Sequence, residues 1–169
     1  GKLGPRSALI TTIDAPHGPT IVVCTHLDYR FDRSADRVVQ ARALAELVAA
    51  KRENPEESFP VVVAGDFNAV PDSDEIRSLT GRTAPFVPGL IFQDCWEIAG
   101  EGPGHTWSSL NPYLADSTWP NRRLDYVLVS WPRPKGLGTP ERAALVGTEP
   151  VDGVTGSDHF GVVVDLRTS

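Results

Sequence analysis

The run Pro60-Val61-Val62-Val63-Ala64, closed by Gly65 and Asp66, constrains this chain more than any other segment. It is wholly apolar, β-branched at three successive positions and too short for a stable helix, so it reads as a strand buried on both faces. Such a strand needs partners at both edges and covering layers above and below, which demands a layered sheet architecture. With 169 residues and 40% hydrophobic content, the chain has material for one core, and residues 1–169 read as a single domain.

The surrounding segments supply the rest of that architecture. Residues 7–13 and 20–24 are rich in aliphatic and β-branched side chains, and Pro16, Gly18 and Pro19 between them predict a hairpin. From Asp36 to Arg52, Val38, Val39, Ala41, Ala45, Leu47 and Val48 recur at helical spacing, with Ser34 as cap. Ser73 followed by Asp74, Glu75 and Ile76 predicts a short capped helix within 71–79. Residues 81–124 are irregular, rich in Gly, Pro, Asn and Trp around one short segment at 92–96, and loops of that length are usually functional. Strands follow at 126–130, 143–148 and 160–166, the first two separated by a Pro/Gly-rich excursion at 131–140.

Bulk chemistry excludes less than it allows. A net charge of −6 provides no basic surface for tight, salt-sensitive binding of a phosphate backbone. It tilts the reading toward a small or lipid-derived substrate but leaves nucleic acid open, because a bound cation can carry the positive charge of a site. Cys24 and Cys95 stand far apart without zinc-ligand spacing, and both are expected to be buried free thiols. No run approaches the roughly 18 apolar residues of a membrane span, and residues 1–6 form no signal peptide. Cellular location stays open.

Polar groups capable of chemistry gather at strand ends. His26 follows the second strand, and Asp66 and Asn68 follow the apolar strand, all at carboxy ends. Asp125 opens the next strand, and Asp158 and His159 open the last, at amino ends. If the later strands run antiparallel to the earlier ones, all of these groups share one edge. Asp66, Asp125 and Asp158 crowded together would repel one another unless a proton or a cation intervened. Mg2+ (or Mn2+), which prefers oxygen donors, would relieve that repulsion and polarise a phosphoryl oxygen. His26 and His159 titrate near neutral pH and suit proton exchange or phosphate binding, with Asp125 fixing the tautomer of His159. Each motif taken singly is more ordinarily a turn: Gly65-Asp66-Phe67-Asn68 and Ser157-Asp158-His159 both close turns readily, and Arg122 and Arg123 read as surface ion-pair residues. His17 and His105 read as turn and loop residues.

The order of these motifs resembles the endonuclease/exonuclease/phosphatase superfamily, of DNase I-like fold. Thr25-His26-Leu27-Asp28, Gly65-Asp66-Phe67-Asn68-Ala69-Val70-Pro71, Arg123-Leu124-Asp125-Tyr126-Val127 and Ser157-Asp158-His159-Phe160 resemble its successive signatures, over nearly the whole chain. Gly104-His105-Thr106-Trp107 and Asn111-Pro112-Tyr113 add weaker similarity to loops of bacterial members. The resemblance implies an α+β fold: a DNase I-like α/β sandwich, here about half of four layers, with one mixed, mainly antiparallel sheet and flanking helices. It implies a divalent-metal-dependent phosphoesterase acting on phosphomonoesters or phosphodiesters by in-line attack of water. Asp66 would orient or deprotonate that water and Asn68 would position it. His159 would act on the phosphate with Asp125 behind it, and His26 would stabilise phosphoryl charge. Asp158, with Asp66 and Asn68, would hold the metal.

One departure qualifies the resemblance. The family's first-strand Asn and its metal-binding Glu have no counterpart upstream of His26, so the chain is expected to be truncated at its amino terminus and weakly active or inactive alone. The missing amino-terminal half, or a second copy of the chain, would then be its partner, because large apolar faces left open favour association. The alternative is a non-catalytic binding or scaffold domain that retains the fold. Two histidines and three acids favour the enzyme; the missing Glu favours the alternative.

Overall fold

The computed structural model describes residues 6–132 and 136–169. The first five residues and the middle of the 131–140 excursion therefore lie outside the described residues. The expected hairpin is present and longer than anticipated: β1 (Ala8–Ala15) and β2 (Gly18–His26) pair antiparallel around the turn at Pro16 and His17. His17 closes that turn, its Nε2 lying 2.9 Å from Thr20 Oγ1. Helix α1 (Ser34–Lys51) buries Ala41, Leu44, Ala45 and Val48. Its cap differs from expectation, because the Ser34 hydroxyl donates instead to Glu75 Oε2 at 2.8 Å. Val39 points outward at 62% exposure, its place on the buried stripe taken by Leu44.

The apolar run becomes β3 (Val62–Asp66), followed by α2 (Asp74–Leu79), β4 (Ile91–Asp94) and α3 (Cys95–Ala99). A single 3₁₀ turn, Pro112–Leu114, interrupts the long loop before β5 (Asp125–Trp131). The sheet runs β1-β2-β3-β5-β4, with β2 and β3 parallel and every other neighbour antiparallel. Val61 and Val63 of the central run, Val23 of β2 and Leu128 of β5 face α1 and α2, and that layer is the core.

Helices α1 and α2 cover one face of this sheet, and on the other β5 buries Val129 completely while the β1-β2 side stays open. Val62 and Ala64, expected to be buried, are half-buried on the opposite face. Strand alternation places Leu9, Ile13, Cys24 and His26 on that same face. Leu9 and Ile13 are 70% and 48% exposed there. Cys24 is therefore exposed, contrary to expectation, whereas Cys95 is buried in α3 as expected.

Among the described residues, the last two strands, β6 (Pro140–Val146) and β7 (Gly161–Leu166), pair only with each other and form a second small sheet lying against β5 and α3. A mixed sheet with flanking helices is thus the main layer, and the end of the chain begins another. No described helix is long and apolar enough to cross a membrane.

Candidate functional site

Register assembles the site. Parallel pairing sets His26 opposite Asp66, and antiparallel pairing sets Asp66 opposite Asp125, so the three form a rung across β2, β3 and β5. Side chains at paired positions project from the same face of a sheet, which brings the three groups together. His26 Nε2 lies 3.5 Å from Asp66 Oδ2. His159 arrives from the turn before β7, and its Nδ1 lies 2.8 Å from Asp125 Oδ2.

Beyond β3 the chain turns sharply. Asp66 Oδ1 accepts the backbone N–H of Asn68 at 2.8 Å, and Asn68 adopts a left-handed φ of 49°, which Asn tolerates better than most residues. The Asn68 carboxamide donates to Leu27 O at 3.2 Å, so its remaining polar atom, Oδ1, is an acceptor. Beneath the turn, the Tyr126 hydroxyl donates to Ala69 O at 2.7 Å, and burial holds that phenol above its usual range.

Two residues that sequence reasoning did not single out position the rest. The buried Thr106 Oγ1 accepts the backbone N–H groups of Leu124 (3.0 Å) and Asp125 (3.2 Å), and Thr106 O accepts the N–H of Phe160 at 2.7 Å. The buried Asn111 carboxamide donates to Ser157 O at 2.9 Å. One loop therefore fixes both Asp125 and the His159 turn. The similarity already noted for residues 104–107 and 111–113 was the available signal.

Arg122 and Arg123 are not a surface ion pair. Arg123 is buried and bonds Asp94 Oδ2 at 2.6 Å, whereas Arg122 points out over the rings of Phe31 and Trp119. Extended chain turns the two side chains to opposite sides.

The electrostatics are those of a crowded acidic site. Burial first, and then the neighbouring charge of Asp125, raises the pKa of Asp66. The hydrogen bond to Asp125 raises that of His159 despite partial burial, so the ring holds its proton to higher pH than a free imidazole. Changing Asp125 to Asn is therefore expected to lower the His159 pKa. The measurement is an NMR titration of the ring Cε1–H signal in chelator, and an unmoved or raised midpoint would refute the pairing.

Ligand atoms of Asp66, Asp125 and His159 lie within 4.8 Å of one another. Two converging carboxylates, one resisting ionisation, make a donor set that suits a hard divalent cation. Asn68 borders this set, and His26 lies beside Asp66 with a side chain 57% exposed. Asp158, on the turn before His159, is exposed and stays outside the cluster, though its charge still favours protonated His159.

Comparisons bear on the fold that carries these residues. A humanised form of zebrafish (D. rerio) TDP2 aligns at 24% identity and a TM-score of 0.72, covering 96% of this chain and 61% of that one. Zebrafish TDP2 complexed with single-strand DNA product aligns at 25% identity and a TM-score of 0.70, covering 96% and 62%. An endonuclease/exonuclease/phosphatase protein from Bacteroides vulgatus aligns at 21% and 0.63, covering 96% and 55%. The chain thus spans about 60% of the TDP2 structures it matches and shares their DNase I-like fold. No curated protein matches it significantly. Residues 3–159 match the sequence model of the Endonuclease/Exonuclease/phosphatase family, to which this chain belongs.

Proposed function

We propose that this chain carries the carboxy-terminal part of a divalent-metal-dependent phosphoesterase, hydrolysing a phosphomonoester or phosphodiester by in-line attack of water. The observation that carries the reading is the His26-Asp66-Asp125 rung, completed by His159 hydrogen-bonded to Asp125. Asp66, shifted toward proton uptake by burial, orients the water and accepts its proton. Asn68 fixes that water through its acceptor oxygen. His159, oriented by Asp125 and holding its proton to higher pH than a free imidazole, donates from Nε2 to a phosphoryl oxygen, and exposed His26 meets the same phosphate from across Asp66.

Asp66 and Asn68 are the proposed donors to Mg2+ or Mn2+, and the exposed Asp158, outside the cluster of Asp66, Asp125 and His159, would add negative charge from its rim. Such an ion would polarise the phosphoryl group and neutralise its developing charge. Magnesium- or manganese-dependent hydrolysis of bis-p-nitrophenyl phosphate by the full-length protein, with Asp66→Asn as control, tests the proposal. No activity, or equal activity in the variant, would leave a non-catalytic binding domain as the better account.

The proposed partner is a further protein layer on the open sheet face, either an amino-terminal half or a second copy. Leu9 and Ile13 expose apolar surface on the sheet face that carries His26, which association would remove from water. The 169-residue chain alone is expected to sediment as a dimer, and Leu9→Glu with Ile13→Glu to sediment as a monomer. A monomeric parent chain that binds no hydrophobic dye would count against a covered face.

A further inference from the structure

We propose that Phe31, Trp119 and Arg122 form a stacking platform for a base of a single-stranded nucleic acid whose phosphate reaches Asp66. This rests on the phosphoesterase reading and names the substrate class. The Arg122 guanidinium lies 4.4 Å from the Phe31 ring centroid and 5.2 Å from that of Trp119. The two rings are 4.5 Å apart at 49°, and Trp107 meets Phe31 edge-on at 6.3 Å.

The cluster is built rather than incidental. Its members come from three separated segments, and the backbones of Trp107 and Arg122 are tied by reciprocal hydrogen bonds of 2.9 and 2.8 Å. Phe31 and Trp119 nevertheless remain 43% and 51% exposed, so the cluster is no part of the core. Among the described residues Arg122 has no carboxylate within ion-pair distance, unlike its neighbour Arg123. A cleft of about 440 Å³ runs from Phe31 and Arg122 to Asn68 and Ala69, on the catalytic turn itself.

The chemistry selects the occupant. Partly exposed rings joined to a guanidinium with no carboxylate partner among the described residues suit a planar π system carrying negative charge nearby. An acyl chain would gain nothing from the cation, and a bare phosphate nothing from the rings. Bases separated by phosphates match both, and within a polymer an unpaired strand rather than a duplex offers its ring faces. Stacking also accommodates the net charge of −6, because it does not depend on neutralising many phosphates.

The test uses binding in chelator, so that turnover plays no part. Fluorescence anisotropy compares a ten-nucleotide single strand, as DNA and as RNA, with an abasic phosphodiester of equal length. The natural strand is expected to bind about tenfold more tightly than the abasic one, and Trp119→Ala or Phe31→Ala to erase the difference while Trp119→Phe keeps most of it. Circular dichroism of each variant checks that the fold is retained. Equal affinity for both polymers overturns the platform, as does Trp119-dependent binding of phosphatidylcholine vesicles in preference to either strand. Hydrolysis of bis-p-nitrophenyl phosphate by the parent protein separates the two claims. Turnover without base discrimination sinks only the platform; base discrimination without turnover sinks only the hydrolase.

Discussion

Replacing Asp66 with Asn is expected to lower metal-dependent phosphodiester hydrolysis about a thousandfold while leaving the fold as stable or more so. The two effects separate because Asp66 is costly to the fold at neutral pH. It is largely buried beside Asp125, and both facts raise its pKa, burial more than charge. Its structural contact, acceptance of the Asn68 N–H at 2.8 Å, survives in an amide. The sign follows from linkage. A carboxyl whose pKa is raised on folding binds its proton more tightly in the native state, so that contribution is complete below the ordinary value near pH 4 and is lost as pH rises through the folded value. Above it, the native state carries the full cost of a buried like-charge pair. Melting temperatures in chelator should therefore favour Asp66→Asn at pH 7.5 and show little gain at pH 4. Added Mg2+ should narrow the gap by stabilising the parent. Retained activity would remove Asp66 from the chemistry, and a pH-independent gain would mean the repulsion is not there.

Local pattern carried most of the fold. Periodicity located α1, and the apolar, β-branched, turn-bounded segments located β1, β2, β3 and β5, because each signal is confined to a few neighbouring residues. The site was legible for a related reason: His26, Asp66 and Asp125 end or begin strands, and strand direction alone brings them to one edge. What escaped was set by distant contacts. Thr106 looks like any loop threonine until its hydroxyl is seen to hold the N–H groups of Leu124 and Asp125. The pairing of β7 with β6 rather than with the main sheet is a choice between distant partners, which no periodicity encodes. Cys24 was expected inside because free cysteines usually are, yet its side chain falls on the face opposite α1 and α2 and is exposed. Arg122 and Arg123 share a residue type and differ only in the side of the chain they leave.

Changing Gly65 to Ala is expected to cost about 4 kcal/mol or more, lowering the melting temperature by roughly 10 °C, and to abolish activity with it. Two penalties coincide at this residue. Its φ of +143° is one that side chains rarely adopt, and an added Cβ would stand 1.9 Å from Thr25 O in the adjoining parallel strand. Backbone cannot rotate aside as a flexible side chain can, so β2 and β3 must part at the Thr25–Gly65 pair. The next pair along is His26–Asp66, and the displacement therefore reaches the site directly. Gly18→Ala is the matched control. Its φ of +111° is also strained, but nothing lies within 4 Å of the added atom, so only the conformational cost of about 1–3 kcal/mol remains. The difference between the two melting temperatures measures the close approach alone. If Gly65→Ala melts no lower than Gly18→Ala, β2 and β3 are not as near as the register requires, and the rung that unites His26, Asp66 and Asp125 loses its foundation.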